Sequence, residues 1–430
     1  MVREMIQRFE RIKNLKGELK LCGDKSISHR AVMFASMAKG ISLIKNCSGS
    51  EDVNSTMKCF EKLGCKFDIN QSEIKVTGSG FKGFTKPGSE LYAGNSGTTA
   101  RLMSGILAAQ NFDSVITGDE SLSTRPMRRI VDPLSEMGAN ISVKENGTMP
   151  IIIMPSNLNP VNYRLKIASA QVKSAMLLCG LHLEEESTII ETSVTRNHTE
   201  KMLGLKSIYE NGESKIFVSK KNYPQPFEII VPSDISSAAF FIVAALILKN
   251  SYLRIKNVSL NETRTGIVSV LQKMGGKIQI ENVSENNGEK SGDLLVQTSD
   301  LENKEIEQSI IPNIIDEIPI LSVAGIFAHG NFKITGAKEL RVKESDRIKS
   351  LCHNFKKAGI IVNEFDDGFE LSGSLSNKEI VFESFGDHRI AMAFGVLSLL
   401  MEEGGSVKYF ECAGVSNPDF VIQLLDLSNK

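Results

Sequence analysis

The sequence predicts an α/β protein of two domains, and three observations lead to this prediction. The chain has 430 residues, whereas single hydrophobic cores stop growing at about 250 to 300 residues. Hydrophobic residues make up 41% and charged residues 23% of the chain, which is the balance of a globular protein. A degenerate internal repeat, in which a helix ends at a glycine and a strand follows, predicts alternating helices and strands.

The repeat is clearest at four glycines, and a weaker copy surrounds Gly212; the four are Gly64, Gly138, Gly275 and Gly359. Glycine suits the left-handed turn that closes a helix, and the alternating residues that follow suit a strand. The spacing of roughly 60 to 85 residues is too long for a solenoid. It predicts a unit of two helices and several strands that recurs about five or six times, three per domain.

Two polar turns mark the expected domain boundaries. One turn, at 231–237, precedes the apolar segment from Ala238 to Leu248, and a similar turn at 21–28 precedes a second apolar segment. An Asp or Ser at such a turn would cap the helix that follows. We therefore expect residues 24–235 to form one domain, and residues 1–23 with 236–430 to form the other.

Charge and cysteine content exclude several function classes. A formal net charge of -1 provides no global field to attract nucleic acid or an acidic membrane. The seven cysteines have no zinc-binding spacing and are interpreted as reduced, mostly buried thiols. The longest apolar run, about eleven residues, is too short to cross a bilayer, and the N-terminus lacks the apolar core of a signal peptide. These features predict a cytoplasmic protein that binds neither nucleic acid nor membrane.

Turns before helices in the first half of the chain carry cations. The turn at 21–28 places Lys25, Ser26 and Arg30 at a helix start, where free N–H groups and the helix dipole favour an anion. A solvated cap is the alternative. In a second turn Gly97 lets the backbone approach a phosphate or carboxylate closely. Arg125 could bind a carboxylate with two hydrogen bonds or merely pair with a nearby aspartate.

The second half of the chain combines carboxylates with cations. Asp316 lies between prolines in an apolar stretch, where a carboxylate can serve as a base, although helix capping is the alternative. The run 341–347 could be a ligand site or an ordinary solvated helix face. Asp387 precedes His388 and Arg389, a pattern that suits proton transfer or a capped helix; the structural interpretation is preferred for His388.

Taken together, cations at turns and helix starts in a neutral chain favour a substrate with several phosphate or carboxylate groups; they are Lys25, Arg30, Arg101, Arg125, Arg196, Lys343, Arg347 and Arg389.

Six segments, in order along nearly the whole chain, resemble motifs of the enolpyruvyl transferases, and among them the branch that acts on shikimate-3-phosphate. The segments are 24–30, 94–98, 125–126, 169–171, 341–347 and 387–389. The resemblance implies two domains of threefold pseudo-symmetry, each built from three βαβαββ units, with the active site in the cleft between them. It also implies a monomer that transfers the enolpyruvyl group of phosphoenolpyruvate to the 5-hydroxyl of shikimate-3-phosphate without metal or organic cofactor.

The resemblance also implies roles for individual residues. Those expected to hold shikimate-3-phosphate are Lys25, Ser26, Arg30, Ser169, Ala170, Gln171, Arg196, Asp316 and Lys343. Those expected to hold phosphoenolpyruvate are Lys25, Gly97, Arg125, Gln171, Arg347 and Arg389. Lys25, Asp316 and Glu344 are the expected catalytic residues, with Asp316 as base and Glu344 as acid.

Some features depart from the family pattern or leave the function open to a second interpretation. A lysine that some members carry near the C-terminus is missing from 414–419. Ala170 and Arg196 resemble the branch that is often less sensitive to glyphosate, whereas Gly97 resembles the sensitive majority. The nearest alternative is a UDP-N-acetylglucosamine enolpyruvyl transferase, which usually carries a reactive cysteine where this chain has Glu120. The sequence also leaves open a non-catalytic anion-binding paralogue and a relative of RNA 3'-terminal phosphate cyclase.

Overall fold

The computed structural model describes residues 5–70, 73–376 and 378–428. The chain folds into two compact units. The middle unit comprises Cys22–Pro232 together with Glu285–Glu289. The terminal unit comprises the chain up to Leu21, Ser233–Ser284 and the chain from Lys290 onward.

Strands and helices alternate along both units. The strands are β1 (Ile6–Phe9), β2 (Lys16–Lys20), β3 (Lys39–Lys45), β4 (Lys66–Asn70), β5 (Glu73–Ser79), β6 (Leu91–Tyr92), β7 (Ser114–Thr117), β8 (Asn140–Ser142), β9 (Ile151–Met154), β10 (Asn162–Arg164), β11 (Ser187–Glu191), β12 (Ser207–Glu210), β13 (Glu213–Val218), β14 (Glu228–Ile230), β15 (Tyr252–Ser259), β16 (Lys277–Asn286), β17 (Glu289–Gln297), β18 (Phe332–Ile334), β19 (Ile361–Phe365), β20 (Gly368–Ser372), β21 (Ile380–Glu383) and β22 (Gly405–Lys408). The helices are α1 (Lys25–Met37), α2 (Glu51–Lys62), α3 (Gly97–Leu107), α4 (Glu120–Ser123), α5 (Arg128–Glu136), α6 (Ala170–Gly180), α7 (His198–Leu203), α8 (Ile235–Ile247), α9 (Gly266–Lys273), α10 (Ile311–Ile314), α11 (Ile318–Phe327), α12 (Arg347–Lys357), α13 (His388–Leu400) and α14 (Phe420–Ser428).

The middle unit repeats one sheet topology three times. Its described sheets have the orders β14-β3-β5-β4, β6-β7-β9-β8 and β10-β11-β13-β12. In each sheet the first pair is parallel and the other two pairs are antiparallel. This is the βαβαββ unit, and β14 closes the first sheet from the far end of the unit.

The terminal unit contains one sheet of the same kind and two shorter versions. The order β2-β15-β17-β16 is complete, whereas β18-β20-β19 and β1-β22-β21 have three strands among the described residues. An isolated parallel bridge between Glu302 and His329 lies where the first strand of the second sheet would be. The predicted α/β architecture of repeated units is confirmed, with abbreviated copies in this half.

The predicted helix-ending glycines adopt the expected backbone. Each follows a helix and has positive φ: Gly64 (97°), Gly138 (89°), Gly275 (97°) and Gly359 (88°). The interpretation of Gly212 was wrong, because this residue lies in the hairpin turn between β12 and β13. Gly204, with φ 60° at the end of α7, has that role instead.

Each unit packs central helices whose N-terminal ends carry the candidate residues. In the middle unit α3 and α6 approach so closely that a Cβ on Gly105 would lie 2.0 Å from the Ala175 carbonyl oxygen. This packing brings the beginnings of α3 and α6 together. In the terminal unit α8, α11 and α13 are buried over most of their length, as helices that are apolar on all sides must be.

All seven cysteines are free, and four of them are buried, as expected for mostly buried thiols: Cys59, Cys65, Cys179 and Cys352. Within the described part of the chain, no single helix has the length and apolarity needed to span a membrane. One pair, Gln308–Ile314 with Ile318–Phe327, meets those criteria only when taken together, and it is bent by 116°.

Candidate functional site

The start of α1 presents a lysine in an ion pair. The Asp24 carboxylate accepts a hydrogen bond from the Ile27 backbone N–H at 2.9 Å and so caps the helix. The Lys25 ammonium lies 2.9 Å from the Asp52 carboxylate, and 21% of the lysine side chain is exposed. Sequence reasoning missed Asp52, because an acidic residue in the first turn of a helix is ordinarily explained by the helix dipole.

Arg30 connects three helices of the middle unit. Its guanidinium donates to the Thr199 hydroxyl at 2.7 Å, the Ser174 hydroxyl at 2.9 Å and the Ser26 carbonyl at 2.9 Å. These contacts join α1 to α6 and α7. The structure therefore shows a positioning role for Arg30 in addition to its position in the predicted anion site.

Arg196 precedes α7 and is half-buried beside Arg30. Burial lowers the pKa of the Arg30 guanidinium to about 10; Glu200 opposes the shift and Arg196 adds to it. Lys173, which sequence reasoning missed, is fully buried and lies 2.7 Å from Glu200 and 2.9 Å from Glu191. The sequence did contain a signal for this residue, a lysine within a mostly apolar helix. A lysine buried in such a helix is almost always paired with a carboxylate.

The start of α3 faces two guanidinium groups. Ser96 caps the helix by accepting a hydrogen bond from the Thr99 backbone N–H at 3.1 Å. A Cβ built on Gly97 would lie 3.2 Å from Nη1 of Arg101 and 3.7 Å from Nη1 of Arg125. The missing side chain of Gly97 thus leaves room beside both cations.

Arg125 is held by the turn that precedes α3. Its Nη2 donates to the Asn95 side-chain oxygen at 2.7 Å and to the Ser121 hydroxyl at 3.2 Å. The Asn95 amide in turn donates to the Asp119 carboxylate at 2.7 Å. Asn95 therefore links Arg125 to Asp119, and its side chain was another contributor that sequence reasoning missed.

The start of α6 adjoins the start of α3. Ser169 caps α6 and, like Ala170, is half-buried. Arg101 donates to the Gln171 side-chain oxygen at 2.5 Å, and the Gln171 amide donates to the Thr98 hydroxyl at 3.0 Å. Gln171 is therefore positioned by groups on α3. We call the candidate residues of this unit the middle cluster: Lys25, Ser26, Gly97, Arg101, Arg125, Ser169, Ala170, Gln171 and Arg196.

Arg347 is the centre of the charged group in the terminal unit. It is 1% exposed and lies 2.6 Å from Glu344, 2.8 Å from Asp387 and 3.2 Å from Asp316. Burial works against the guanidinium charge, but Asp387, Glu344 and Asp316 more than compensate and raise the pKa of Arg347 above its ordinary value. The arginine is a permanent cation that organises three carboxylates.

Asp316 lies among three cations. Its carboxylate is 3.2 Å from Arg347, 3.6 Å from Arg389 and 4.0 Å from Lys343, and the residue is 8% exposed. Arg389 also donates to the Asp316 carbonyl at 3.0 Å. Three cations therefore surround one nearly buried carboxylate in this unit.

The run 341–347 divides into supporting and site residues. Arg341 pairs with Asp346 at 2.9 Å and with Glu364 at 3.1 Å, and Asp346 caps α12. Lys343 and Glu344 keep 29% and 26% of their side chains exposed. The alternative of a solvated helix face is wrong, because α12 begins only at Arg347 and that residue is buried.

Asp387 joins the cap of α13 to this group. Its carboxylate accepts from the Arg389 backbone N–H at 2.9 Å, from Arg347 at 2.8 Å and from the Ser345 hydroxyl at 3.2 Å. Of the two interpretations of this segment, the capped helix is the one that these contacts show. The cap also places Arg389 next to Asp316. We call the charged side chains gathered around Arg347 the terminal cluster: Asp316, Lys343, Glu344, Arg347, Asp387 and Arg389.

Comparison with known proteins gives one family over nearly the whole chain. The family model of EPSP synthase (3-phosphoshikimate 1-carboxyvinyltransferase) matches residues 9–424. A 3-phosphoshikimate 1-carboxyvinyltransferase of Petrotoga mobilis is 46% identical over 413 residues, which is 95% of this chain and 96% of that protein. One from Thermodesulfovibrio yellowstonii is 44% identical over 428 residues, 98% of this chain and 99% of the relative.

Solved structures show the same likeness. EPSP synthase from Acinetobacter baumannii is 38% identical, superposes with a TM-score of 0.87, and the match covers 99% of this chain and 98% of that structure. The enolpyruvyl transferase NikO from Streptomyces tendae, at 14% identity, has a TM-score of 0.73 over 99% of this chain and 97% of its own. The latter likeness is one of fold alone.

Proposed function

Because the chain belongs to the EPSP synthase (3-phosphoshikimate 1-carboxyvinyltransferase) family and is therefore a transferase, we propose that it moves the enolpyruvyl group of phosphoenolpyruvate onto the 5-hydroxyl of shikimate-3-phosphate. The observation that carries this proposal is the Asp316 carboxylate held between Lys343, Arg347 and Arg389, with Glu344 on the same arginine. Family membership and relatives at 43–46% identity favour this reaction over transfer to UDP-N-acetylglucosamine.

Shikimate-3-phosphate is the proposed ligand of one part of the middle cluster. Arg196 and Lys25 supply positive charge for its phosphate, and Ser26, Ser169 and Gln171 supply hydroxyl and amide groups for its ring. Ala170 contributes its backbone N–H at the first position of α6, where the helix dipole favours an anion. Arg30 supports this group through its bonds to α6 and α7. In the terminal cluster, Asp316 and Lys343 are proposed to meet the ring hydroxyls.

Phosphoenolpyruvate is the proposed ligand of the remaining cations. Arg125 and the Gly97 backbone would receive one anionic group, with Gln171 beside them. Arg347 and Arg389 would receive the other, because a guanidinium can bind a carboxylate through two parallel hydrogen bonds. Lys25 would serve both substrates, and its side chain, which is partly exposed beside Asp52, is accessible to them.

The chemistry needs one base and one acid. Asp316 takes the proton from the 5-hydroxyl as the ring oxygen bonds to the enol carbon, and Glu344 gives a proton to the methylene carbon. Glu344 must enter this step protonated, and a substrate carboxylate that neutralises Arg347 would favour that form. The tetrahedral ketal phosphate then loses phosphate by cleavage of its C–O bond while Glu344 recovers a proton from the new methyl group, and the proton held by Asp316 passes to the departing phosphate. Lys25 stabilises the charge on the departing phosphate.

The proposal extends to the setting of the enzyme. A cytoplasmic location and a monomeric state, expected from the sequence, belong to it, as does independence of any metal or organic cofactor. The expected meeting of the two clusters over the same substrates in a cleft stays a prediction, and so do the proposed domain boundaries. The reaction places the protein in the shikimate pathway.

Phosphate release from phosphoenolpyruvate tests the proposed function. We expect release by the purified protein when shikimate-3-phosphate is present, and none when UDP-N-acetylglucosamine replaces it. Asp316→Asn serves as the matched control, since it keeps the size of the side chain and removes the proposed base. Release driven by UDP-N-acetylglucosamine, or a folded protein inert toward shikimate-3-phosphate, would contradict the proposal.

A further inference from the structure

In the middle unit, four buried side chains form a continuous hydrogen-bonded chain, which begins on α1 and ends at the start of α3. Nδ1 of His29 lies 2.7 Å from the Thr56 hydroxyl, which lies 2.7 Å from the Thr99 hydroxyl. Thr99 in turn donates to the Ser96 hydroxyl at 2.8 Å. All four residues are at most 1% exposed. The chain joins α1, α2 and α3.

The direction of these hydrogen bonds follows from the state of His29. Burial lowers the pKa of His29 to about 3, although Asp52 opposes the shift, so the ring is neutral near pH 7. Its Nε2 is buried without a hydrogen-bond partner among the residues that the structure describes. A bare ring nitrogen there costs less than an orphaned N–H, so the proton belongs on Nδ1. His29 then donates to Thr56, Thr56 to Thr99, and Thr99 to Ser96.

The two threonines in the middle of this chain and the serine at its end lie close to proposed ligands of phosphoenolpyruvate. The Thr56 and Thr99 hydroxyls lie 3.4 Å and 3.3 Å from the carbonyl oxygen of Asp52. The carboxylate of that same residue holds Lys25 at 2.9 Å. Ser96, at the end of the chain, caps α3 and precedes Gly97. A buried network whose donors all have acceptors makes the elements that it joins rigid.

We propose that His29, Thr56, Thr99 and Ser96 form a positioning network, which holds the start of α3 against α1 and α2 and so fixes Gly97 relative to Lys25. The inference rests on the proposed function, since it assigns the network to the phosphoenolpyruvate side of the reaction. Among the groups proposed for shikimate-3-phosphate, Arg30 is anchored outside the network, on Ser174 and Thr199, and so holds α1 to α6 and α7. Loss of the network should therefore affect phosphoenolpyruvate much more than shikimate-3-phosphate.

Thr99→Val tests the network, because valine keeps the shape of threonine and removes only the hydroxyl. We expect the KM for phosphoenolpyruvate to rise about tenfold, as the loss of one to two buried hydrogen bonds predicts, while the Kd for shikimate-3-phosphate stays within about twofold. Thr99→Ser, which restores the hydroxyl, should return the KM toward that of the wild type. Ser104→Ala is the matched control: Ser104 is a buried hydroxyl on the same helix that donates to the Ala100 carbonyl of that helix, and its loss should leave the KM unchanged.

The outcomes separate a positioning role from a merely structural one. An unchanged KM in Thr99→Val, or a parallel loss of affinity for both substrates that Ser104→Ala reproduces, would overturn the network. If the wild-type protein shows no transfer at all, the proposed function fails instead. The network is then judged by hydrogen exchange of the Thr98 and Thr99 amides, which Thr99→Val should accelerate and Ser104→Ala should not. Equal exchange in both variants would also refute it.

Discussion

The middle and terminal units use the same repeat but place different residues next to the cap of the first helix. α1 and α8 both begin after an aspartate cap, Asp24 and Asp234. In the middle unit the cap is followed by Lys25, whereas in the terminal unit it is followed by Ile235, and α8 is apolar and buried. The repeat therefore keeps the cap that its backbone needs, while the residue next to the cap is available for function.

The two clusters differ in what they can do to a ligand. The middle cluster presents cations, hydroxyls and helix N-termini, with Asp52 as the carboxylate on Lys25. The terminal cluster interlocks Asp316, Glu344 and Asp387 around Arg347. Helix N-termini with cations suit the binding of anions, whereas Asp316 and Glu344 are the base and the acid of the proposed reaction. We therefore expect substitution of Asp316 or Glu344 to act on turnover more than on binding.

The largest effect is expected from the carboxylates of the terminal cluster. Asp316→Asn and Glu344→Gln should each lower turnover by about 10² to 10⁴-fold, the range for a group that transfers a proton in the transition state. Steady-state phosphate release at saturating substrates measures it. Glu364→Gln is the control, because Glu364 pairs with Arg341 in the same unit but outside the cluster. Turnover within a few-fold of wild type would show that Asp316 and Glu344 are not the base and the acid of the reaction.

Lys25→Met should reduce catalysis by at least about a hundredfold in a protein that still folds, because one ammonium serves the substrates and the departing phosphate. Lys86→Met is a matched control, since Lys86 is an exposed lysine paired with Asp113 in the same unit. The two variants should have similar thermal stability and very different values of kcat/KM. Near-normal activity in Lys25→Met would show that the middle cluster does not need this cation.

Gly97→Ala should weaken inhibition by glyphosate more than it weakens use of phosphoenolpyruvate. Glyphosate, which occupies the donor site in this family and is longer than the substrate, should compete with phosphoenolpyruvate. The new Cβ would lie 3.2 Å from Arg101 and 3.7 Å from Arg125, and such crowding costs about 1 to 3 kcal/mol. Inhibition constants measured at fixed phosphoenolpyruvate decide the matter: equal values in both proteins would mean that Gly97 does not line the donor site.

The smallest expected effect is a loss of folding stability at acidic pH, caused by two buried histidines of the middle unit. Burial lowers the pKa of His29 to about 3 and of His182 to about 4. Unfolded histidines titrate near 6.5, so this stability is complete above about pH 6.5 and is lost as the pH falls toward the folded values. From pH 7 to 5.5 each histidine should lower the free energy of unfolding by about 1 kcal/mol. Urea unfolding of wild type and His182→Gln checks this; identical pH dependence would contradict it.

Much of the fold could be predicted because its signals are local. Four of the turns that end helices need a positive φ, and glycine is the residue that adopts it most readily, so the turns are visible in the sequence as Gly64, Gly138, Gly275 and Gly359. Gly212 was wrongly interpreted because a hairpin turn, like the end of a helix, often requires a glycine with positive φ. The shortened sheets of the terminal unit were missed, since the loss of an edge strand leaves the helix and glycine signals intact.

The candidate site was predictable where a cation or carboxylate stands at a helix start, and less so where a partner comes from elsewhere. Asp52 reaches Lys25 from α2, and Asn95 positions Arg125 from a turn 30 residues away. Lys173 lies in the first turn of α6, and its carboxylate partners lie on β11 and α7. Such pairings depend on tertiary packing, which a pattern of residues does not encode.

The division of labour between the clusters is tested most directly by calorimetric titration of shikimate-3-phosphate into wild type and Glu344→Gln, alongside their turnover. We expect dissociation constants within about threefold of each other while turnover differs by about a hundredfold or more. Lost affinity with unchanged turnover would contradict it, because Glu344 would then be a ligand of the substrate rather than the acid of the reaction.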